Sequence, residues 1–176
     1  MRSAFLFTFV AAVSLGLISC SSENSAPVAS TYEMGARAQV GPLGYTVFER
    51  QWLTQLGEPG PEARVPQNRF FTLRLSALNG GGADTSIPTL TLVDDSGKSY
   101  DEVTNGEGVS QWLGALRLVH PAEAVSGNIL FDVPPQHYKL KVTDEEGKAV
   151  AYVDIPLSFD SSAPELPPVP DSAKKK

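Results

Sequence analysis

The sequence predicts an all-β fold in which two antiparallel sheets pack as a sandwich. Apolar and polar residues alternate with a period of two through most of the middle of the chain, which is the pattern of half-buried strands. Turn signals rich in Asp and Gly separate these stretches. The single cysteine excludes an internal disulfide, so a packed hydrophobic core has to stabilise the domain.

The alternation is clearest in FFTLRLSALN, residues 70–79. Every second residue from Phe71 to Ala77 is apolar, and the residues between are Thr, Arg and Ser. A helix would need apolar residues three and four positions apart, which this stretch lacks. The same test predicts strands at 36–40, 45–52, 89–92, 99–103, 128–133, 138–142 and 149–157.

Turn signals delimit two of these strands. DDSG at 94–97 and DEEG at 144–147 predict hairpin turns, because each ends in a Gly that tolerates positive φ. One short helix is predicted from Val109 to Leu116, because its larger apolar residues would share one helical face: Val109, Trp112, Leu113 and Leu116.

About seven to nine short strands in one domain indicate a sandwich of immunoglobulin type. The folded domain is predicted to span residues 32–157, which is an ordinary length for one domain. A closed barrel is the alternative, because the strand pattern alone does not separate the two architectures.

The N-terminal residues have the pattern of an export signal. Arg2 precedes an apolar run over residues 4–17, which is too short to cross a bilayer comfortably, since about 20 residues are needed. Its length and flanks are those of a signal-peptide core. The run leads into LISC, residues 17–20, which resembles the lipobox of bacterial lipoproteins: an aliphatic residue, then a small residue directly before an obligatory cysteine.

This resemblance implies cleavage between Ser19 and Cys20, so that residues 1–19 are a signal peptide. The Cys20 thiolate would take a diacylglycerol, because it is the strong nucleophile among small side chains. Lipidated Cys20 would then hold the protein on a membrane. Ser21 favours the outer membrane if the source has two membranes, because an Asp at that position usually means retention at the inner one.

Two polar segments flank the predicted domain. Residues 20–31 are predicted to form a flexible spacer between the lipid and the domain. Residues 158–176 are rich in proline and read as a disordered, extended tail. The tail ends in three lysines, which are expected to be solvated. The alternative is covalent attachment of Lys176 to peptidoglycan, as in a few outer-membrane lipoproteins.

Charge and composition argue against several classes of function. The formal net charge of −6 disfavours a nucleic-acid partner, because phosphate binding needs clustered Lys and Arg. The chain has two histidines, His120 and His137, on different predicted elements, so no zinc or copper site is expected. The acidic residues around 94–102 lack the twelve-residue calcium pattern.

No catalytic residue is nominated. A nucleophile motif of the Gly-x-Ser-x-Gly type is missing, because the stretch beginning at Gly108 lacks the second Gly. Phosphate and dinucleotide loops are missing as well. We therefore expect no cofactor and no enzymatic activity. Trp and Tyr dominate interface hot spots, and Trp112 lies outside the clean strands, so Trp112 and nearby Arg117 are the candidate interaction surface.

The middle of the chain resembles a bacterial family. The resemblance rests on three groups of residues: ILFDVP at 129–134 after Ser126-Gly127; Asn68, Phe70 and Asn79; and Leu90, Leu92, Asp94, Gly97 and Tyr100. The family comprises secreted or lipidated proteins with an immunoglobulin-like domain of unknown function. It includes the mycobacterial immunoprotective secreted antigen, and some members are mislabelled as telomeric repeat-binding factors.

The resemblance covers about residues 35–157 and implies a sandwich at the cell envelope, with no catalytic residue to transfer. Residues 108–120 have no counterpart in its pattern. The expected function is a lipid-anchored envelope module that binds an envelope protein. The alternatives are a structural bridge between membrane and peptidoglycan, and an unrecognised hydrolase.

Overall fold

Eleven strands form two sheets and a short ribbon in the computed structural model, which describes residues 29–157. The strands are β1 (Ser30–Glu33), β2 (Arg37–Val40), β3 (Leu43–Leu53), β4 (Phe70–Asn79), β5 (Thr85–Ser86), β6 (Thr91–Asp94), β7 (Ser99–Asp101), β8 (Leu118–Val119), β9 (Ala124–Asp132), β10 (Tyr138–Thr143) and β11 (Val150–Ile155). None of the described residues forms a helix long and apolar enough to cross a bilayer.

The two sheets make a β-sandwich. Sheet one has the strand order β1-β11-β10-β6-β7, sheet two has the order β2-β3-β4-β9, and β5 pairs with β8 as a separate ribbon. Neighbouring strands are antiparallel except β1 and β11, which run parallel with Ser30 opposite Ala151 and Glu33 opposite Asp154. The two-sheet sandwich predicted from the alternation is confirmed.

The alternation in β4 explains how the core forms. Phe71, Leu73, Leu75 and Ala77 point inward and are each at most 1% exposed. Residues of β10 and β11 complete the same hydrophobic core from the opposite sheet. Full burial of a large apolar side chain contributes about 1.5–3 kcal/mol, so the inward set accounts for the pairing of the sheets.

A β-bulge in β3 changes which side chains face inward. The register with β4 shifts between Val47 and Glu49, and Phe48 is the extra residue. Beyond the bulge, Trp52 lies opposite Phe71 and stacks on it, with ring centroids 4.0 Å apart. Phe48 itself points outward and is 52% exposed.

Two residues that carried the family resemblance hold loops in place. The buried Asn79 side chain donates to the carbonyls of Ala83 and Val119 and accepts from the Gly81 amide. Asp94 accepts from the Ser96 hydroxyl and amide and from the Lys98 amide. The hydrogen bond from the Ser96 hydroxyl is the main reason that the pKa of Asp94 falls to about 2.

The structure corrects three expectations about local structure. The chain from 109 to 116 is not a helix: Gln111 and Gly114 have positive φ, and the segment makes turns and a single bridge to β9. The spacer predicted over 20–31 overlaps β1, which begins at Ser30. The sheets are also not purely antiparallel, because β1 is added parallel to β11.

Candidate functional site

The long connection from Glu102 to Arg117, here called the crossover segment, runs from β7 to β8. It lies along the outer edge of β9. The Val103 amide donates to the Leu130 carbonyl at 2.7 Å, and the Leu113 amide donates to the Asn128 carbonyl at 2.9 Å. The segment is therefore hydrogen-bonded to the edge of sheet two and covers part of an edge that would otherwise be open.

Trp112 fastens the crossover segment. Its ring covers Gly106 so closely that a Cβ atom at Gly106 would lie 1.9 Å from the ring. The backbone of the neighbouring Leu113 packs closely on Gly127 of β9. A Cβ atom at Gly127 would lie 2.9 Å from Leu113 Cα. Trp112 is partly buried, and its Nε1 is buried without a hydrogen-bond partner among the described residues. Most of the Trp112 side chain is thus used in packing.

Arg117 forms a buried ion pair with Glu102, with side chains 2% and 4% exposed. Arg117 Nη1 donates to Glu102 Oε2 at 3.1 Å, and Nη2 contacts Oε1. Arg117 Nε also donates to the Gly114 carbonyl, and Glu102 Oε2 accepts from the Leu90 amide. The prediction that Arg117 lies on an interaction surface is wrong, because its partner Glu102 stabilises the charge inside the fold.

Around Arg117 the charged side chain is buried, whereas the leucines on either side of it are exposed. Arg117 and Val119 point inward, whereas Leu116 is 98% exposed and Leu118 is 54% exposed. A shift of one residue would bury both leucines and expose the arginine. The buried pair with Glu102 opposes that shift, because it would leave a buried carboxylate without its partner.

Stability alone does not account for this arrangement. Each buried leucine would contribute about 1.5–3 kcal/mol, and a buried ion pair is often no more stabilising than apolar residues of the same volume. Violations of local patterning of this kind concentrate at functional sites. We therefore treat Leu116, Leu118 and the backbone between them as the candidate site, the Leu116–Leu118 edge.

The backbone at this edge is also open. The Ile87 amide donates to the Arg117 carbonyl at 2.9 Å, and Ser86 lies opposite Leu118. Because hydrogen-bonded and non-bonded pairs alternate in antiparallel strands, the Leu118 amide and carbonyl point away from β5. No strand within residues 29–157 pairs with β8 on that side. An exposed strand edge with apolar side chains can accept an extended segment of another protein.

The two histidines lie at separate places. His120 follows β8, and its Nδ1 is 2.9 Å from Asp84 Oδ1 in an exposed pair; the hydrogen bond to Asp84 raises the pKa of His120. His137 precedes β10 and lies between two carboxylates, those of Asp95 and Asp154. Within the described range, no three His, Cys, Asp or Glu side chains converge to hold a metal ion.

Trp112 and Arg117 thus belong to one segment, where both hold it against the sandwich. Ser19, Cys20 and Lys176 lie outside the described residues. Sequence reasoning missed Leu116 and Leu118. The signal was present, because the period-two pattern of LRLVH at 116–120 places an arginine on one side and two leucines on the other.

Comparison of the sequence with known proteins finds one family. The model of a domain of unknown function, DUF4352, matches residues 32–150. That match extends from β1 to the first residue of β11 and includes the crossover segment. No curated protein matches the chain at a significant level.

Solved structures share the fold at low sequence identity. The YjhA protein of Bacillus subtilis has a TM-score of 0.56 at 15% identity, covering 70% of this chain and 98% of that one. The secreted protein MPT63 of Mycobacterium tuberculosis has 0.53 at 14%, covering 73% and 99%. A functionally unknown Listeria monocytogenes protein has 0.52 at 12%, covering 70% and 82%. These similarities establish the fold.

Proposed function

The chain belongs to the DUF4352 family, a domain of unknown function, and from this premise we propose that it is a lipid-anchored binding module of the cell envelope. In this proposal, lipidated Cys20 holds the protein on a membrane, which is the outer membrane in a bacterium with two. The sandwich binds an envelope protein at the Leu116–Leu118 edge. The proposal assigns binding and no catalysis.

The anchor rests on the order of features at the N-terminus. A positive residue, an apolar run and the LISC motif follow one another within residues 1–20. The secreted mycobacterial structure with the same fold agrees with an exported location. Membrane fractionation tests this step: Cys20→Ser should release the protein from membranes and abolish labelling with an alkyne fatty acid. Unchanged fractionation and labelling would exclude the anchor.

The inverted alternation at Leu116–Arg117–Leu118 carries the binding proposal. A protein that only needed a stable fold would bury the leucines. Here they are presented on an edge whose backbone donor and acceptor also face outward. Exposed apolar side chains beside an open edge suit a partner that adds a strand, because backbone hydrogen bonds supply affinity and side chains supply specificity.

Site-specific crosslinking in intact cells tests the binding proposal. A photoreactive residue is introduced as Leu116→p-benzoylphenylalanine, with the same change at Val65 as the control, since Val65 is also exposed, at 74%. We expect one discrete protein adduct from position 116 and none from 65. Leu118→Ser should remove the adduct without lowering Tm. Equal adducts at both positions, or an adduct that survives Leu118→Ser, would refute the proposal.

The runner-up function is a structural bridge from membrane to peptidoglycan through Lys176. It predicts muropeptides bound to the C-terminus. Mass analysis of the protein released from purified sacculi by a muramidase therefore separates the two functions. If Lys176→Arg abolishes attachment to the wall, the bridging function is favoured.

A further inference from the structure

The outer face of sheet two contains a cavity separate from the Leu116–Leu118 edge. Glu49 of β3, Arg74 of β4 and Asn128 of β9 are direct register neighbours across three strands. They line an open cavity of about 300 Å³, a size at the lower end of small-molecule sites. The remaining lining residues are Phe48, Arg50, Gln51 and Thr72. We call this the sheet-two cavity.

Phe48 lies at the rim of this cavity, at the bulge in β3. An extra residue in one strand re-aims a side chain, and such bulges are frequent beside functional sites. Phe48 is 52% exposed, and because of the bulge the two consecutive residues Phe48 and Glu49 both face outward. The bulge thus places an apolar ring next to polar side chains.

The polar lining carries both charge signs. Arg74 Nη1 and Glu49 Oε1 are 3.9 Å apart, with side chains 42% and 69% exposed, so this pair is weak. Gln51 is exposed and offers a donor and an acceptor. Asn128 Nδ2 donates to the Ser110 carbonyl at 2.7 Å, which fixes the orientation of its amide.

This chemistry selects the class of ligand. Arg50 also lines the cavity, and its Nη1 donates to the Leu157 carbonyl at 2.8 Å. Beside the Glu49–Arg74 pair, an anion would be repelled by Glu49, and a cation would be repelled by Arg74. A neutral molecule with many hydroxyl groups can donate to Glu49 and accept from Arg74, because each hydroxyl does both. The C–H face of a sugar ring can pack on Phe48. We infer that the sheet-two cavity binds a neutral saccharide.

The open shape of the cavity determines how strongly a saccharide is expected to bind. A site on a sheet face covers one side of a ring, so much of the ligand surface stays in water and affinity is low. We expect a millimolar Kd for a short saccharide. A polysaccharide with many repeats would be held more tightly through avidity, because binding at one repeat raises the effective concentration of the next.

Saturation-transfer NMR tests the inference on the exported protein, purified from membranes in detergent. The probes are cellotriose and triacetylchitotriose at about 10 mM, well above a millimolar Kd. We expect transfer to ring C–H protons of at least one probe. The signal should fall at least fivefold in Phe48→Ala and in Gln51→Ala. Val65→Ala, an exposed apolar residue away from the cavity, is the matched control and should leave the signal unchanged.

Each result is decisive. No transfer to either probe, or equal transfer to wild type and to Phe48→Ala with an unchanged Tm, overturns the inference. Transfer to triacetylchitotriose together with Phe48-dependent sedimentation on peptidoglycan sacculi identifies wall glycan as the source. Transfer without sedimentation identifies a soluble saccharide. Leu118→Ser should leave the saccharide signal intact, so failure here is distinguishable from failure of the protein-binding proposal.

Discussion

The ring of Trp112 rests directly on the backbone of Gly106, leaving no space for a side chain there. The two residues lie within one connection between strands, so the contact closes the crossover segment on itself. The same segment is joined to β9 by backbone hydrogen bonds, and Glu102, the buried partner of Arg117, joins it to Leu90 directly before β6. The loop that presents Leu116 is therefore held at three points.

Gly106→Ala should destabilise the protein by about 1–3 kcal/mol, which is typical of overpacking. The cause is steric, because the new methyl group would meet the rigid indole of Trp112. Gly82→Ala is the matched control, since nothing lies within 4 Å of a Cβ atom there. Urea unfolding followed by fluorescence measures both variants. Equal stability of the two would show that Trp112 is free to move.

Glu102→Gln should lower the free energy of unfolding by about 3–5 kcal/mol, because it leaves the Arg117 charge buried without its partner. The double variant Glu102→Leu, Arg117→Met should recover most of this loss, since apolar groups then fill the site. Glu49→Gln is the control: it breaks an exposed pair with Arg74 and should change stability by less than about 1 kcal/mol. A small effect of Glu102→Gln would contradict the role assigned to the pair.

Asn79→Asp should be strongly destabilising although it barely changes the shape of the side chain. The amide nitrogen of Asn79 donates to the carbonyls of Ala83 and Val119, and a carboxylate would face those oxygens without a proton. Loss of buried hydrogen bonds of this kind costs about 1–3 kcal/mol or more. Asn68→Asp, at an exposed position, is the control for Tm by calorimetry, and a similar Tm for both would refute the prediction.

His137 should make the stability of the fold fall as pH rises above the ordinary histidine pKa of about 6.5. Its Nδ1 is 2.8 Å from Asp95 Oδ1 and its Nε2 is 2.9 Å from Asp154 Oδ1. The hydrogen bond to Asp95 is the main cause that raises the pKa of His137 in the folded state. A raised folded-state pKa gives stability that is present below the unfolded value, about 6.5, and is lost as pH rises through the folded value.

Unfolding free energies measured from pH 5 to pH 9 check this expectation, and the range is chosen to bracket an ordinary histidine pKa of about 6.5. His137→Gln should flatten the decline on the alkaline side, and Asp154→Asn should reduce it by removing one of the two acceptors. An NMR titration in which His137 ionises at or below the ordinary histidine pKa would contradict the prediction.

The sequence predicts strands best where one face is buried along the whole element. The bounds of β4 are predicted to the residue, because every second residue from Phe71 to Ala77 is apolar and points into the core. β5 and β8 have two residues each, which is too few for a period to be visible. β1 escapes prediction because its polar sequence is added to the edge of a finished sheet.

The crossover segment shows why tertiary contacts limit sequence reasoning. The spacing of Val109, Trp112 and Leu116 fits a helix over eight residues, but positive φ at Gln111 and Gly114 excludes one. The sequence predicts that Arg117 lies on the surface, because a charged side chain is rarely buried without a partner. Its partner Glu102 is fifteen residues away, and only the folded chain brings the two together.

The parallel pairing of β1 with β11 has a mechanical consequence. The chain enters this pair at the Ser30 end and leaves it at the Ile155 end, which lie at opposite ends of sheet one. A force that pulls the N-terminus toward a membrane and the C-terminus away from it would act along both strands. The backbone hydrogen bonds between 30–33 and 151–154 would then bear load together in shear rather than open one after another, which gives the domain resistance to extension along this axis.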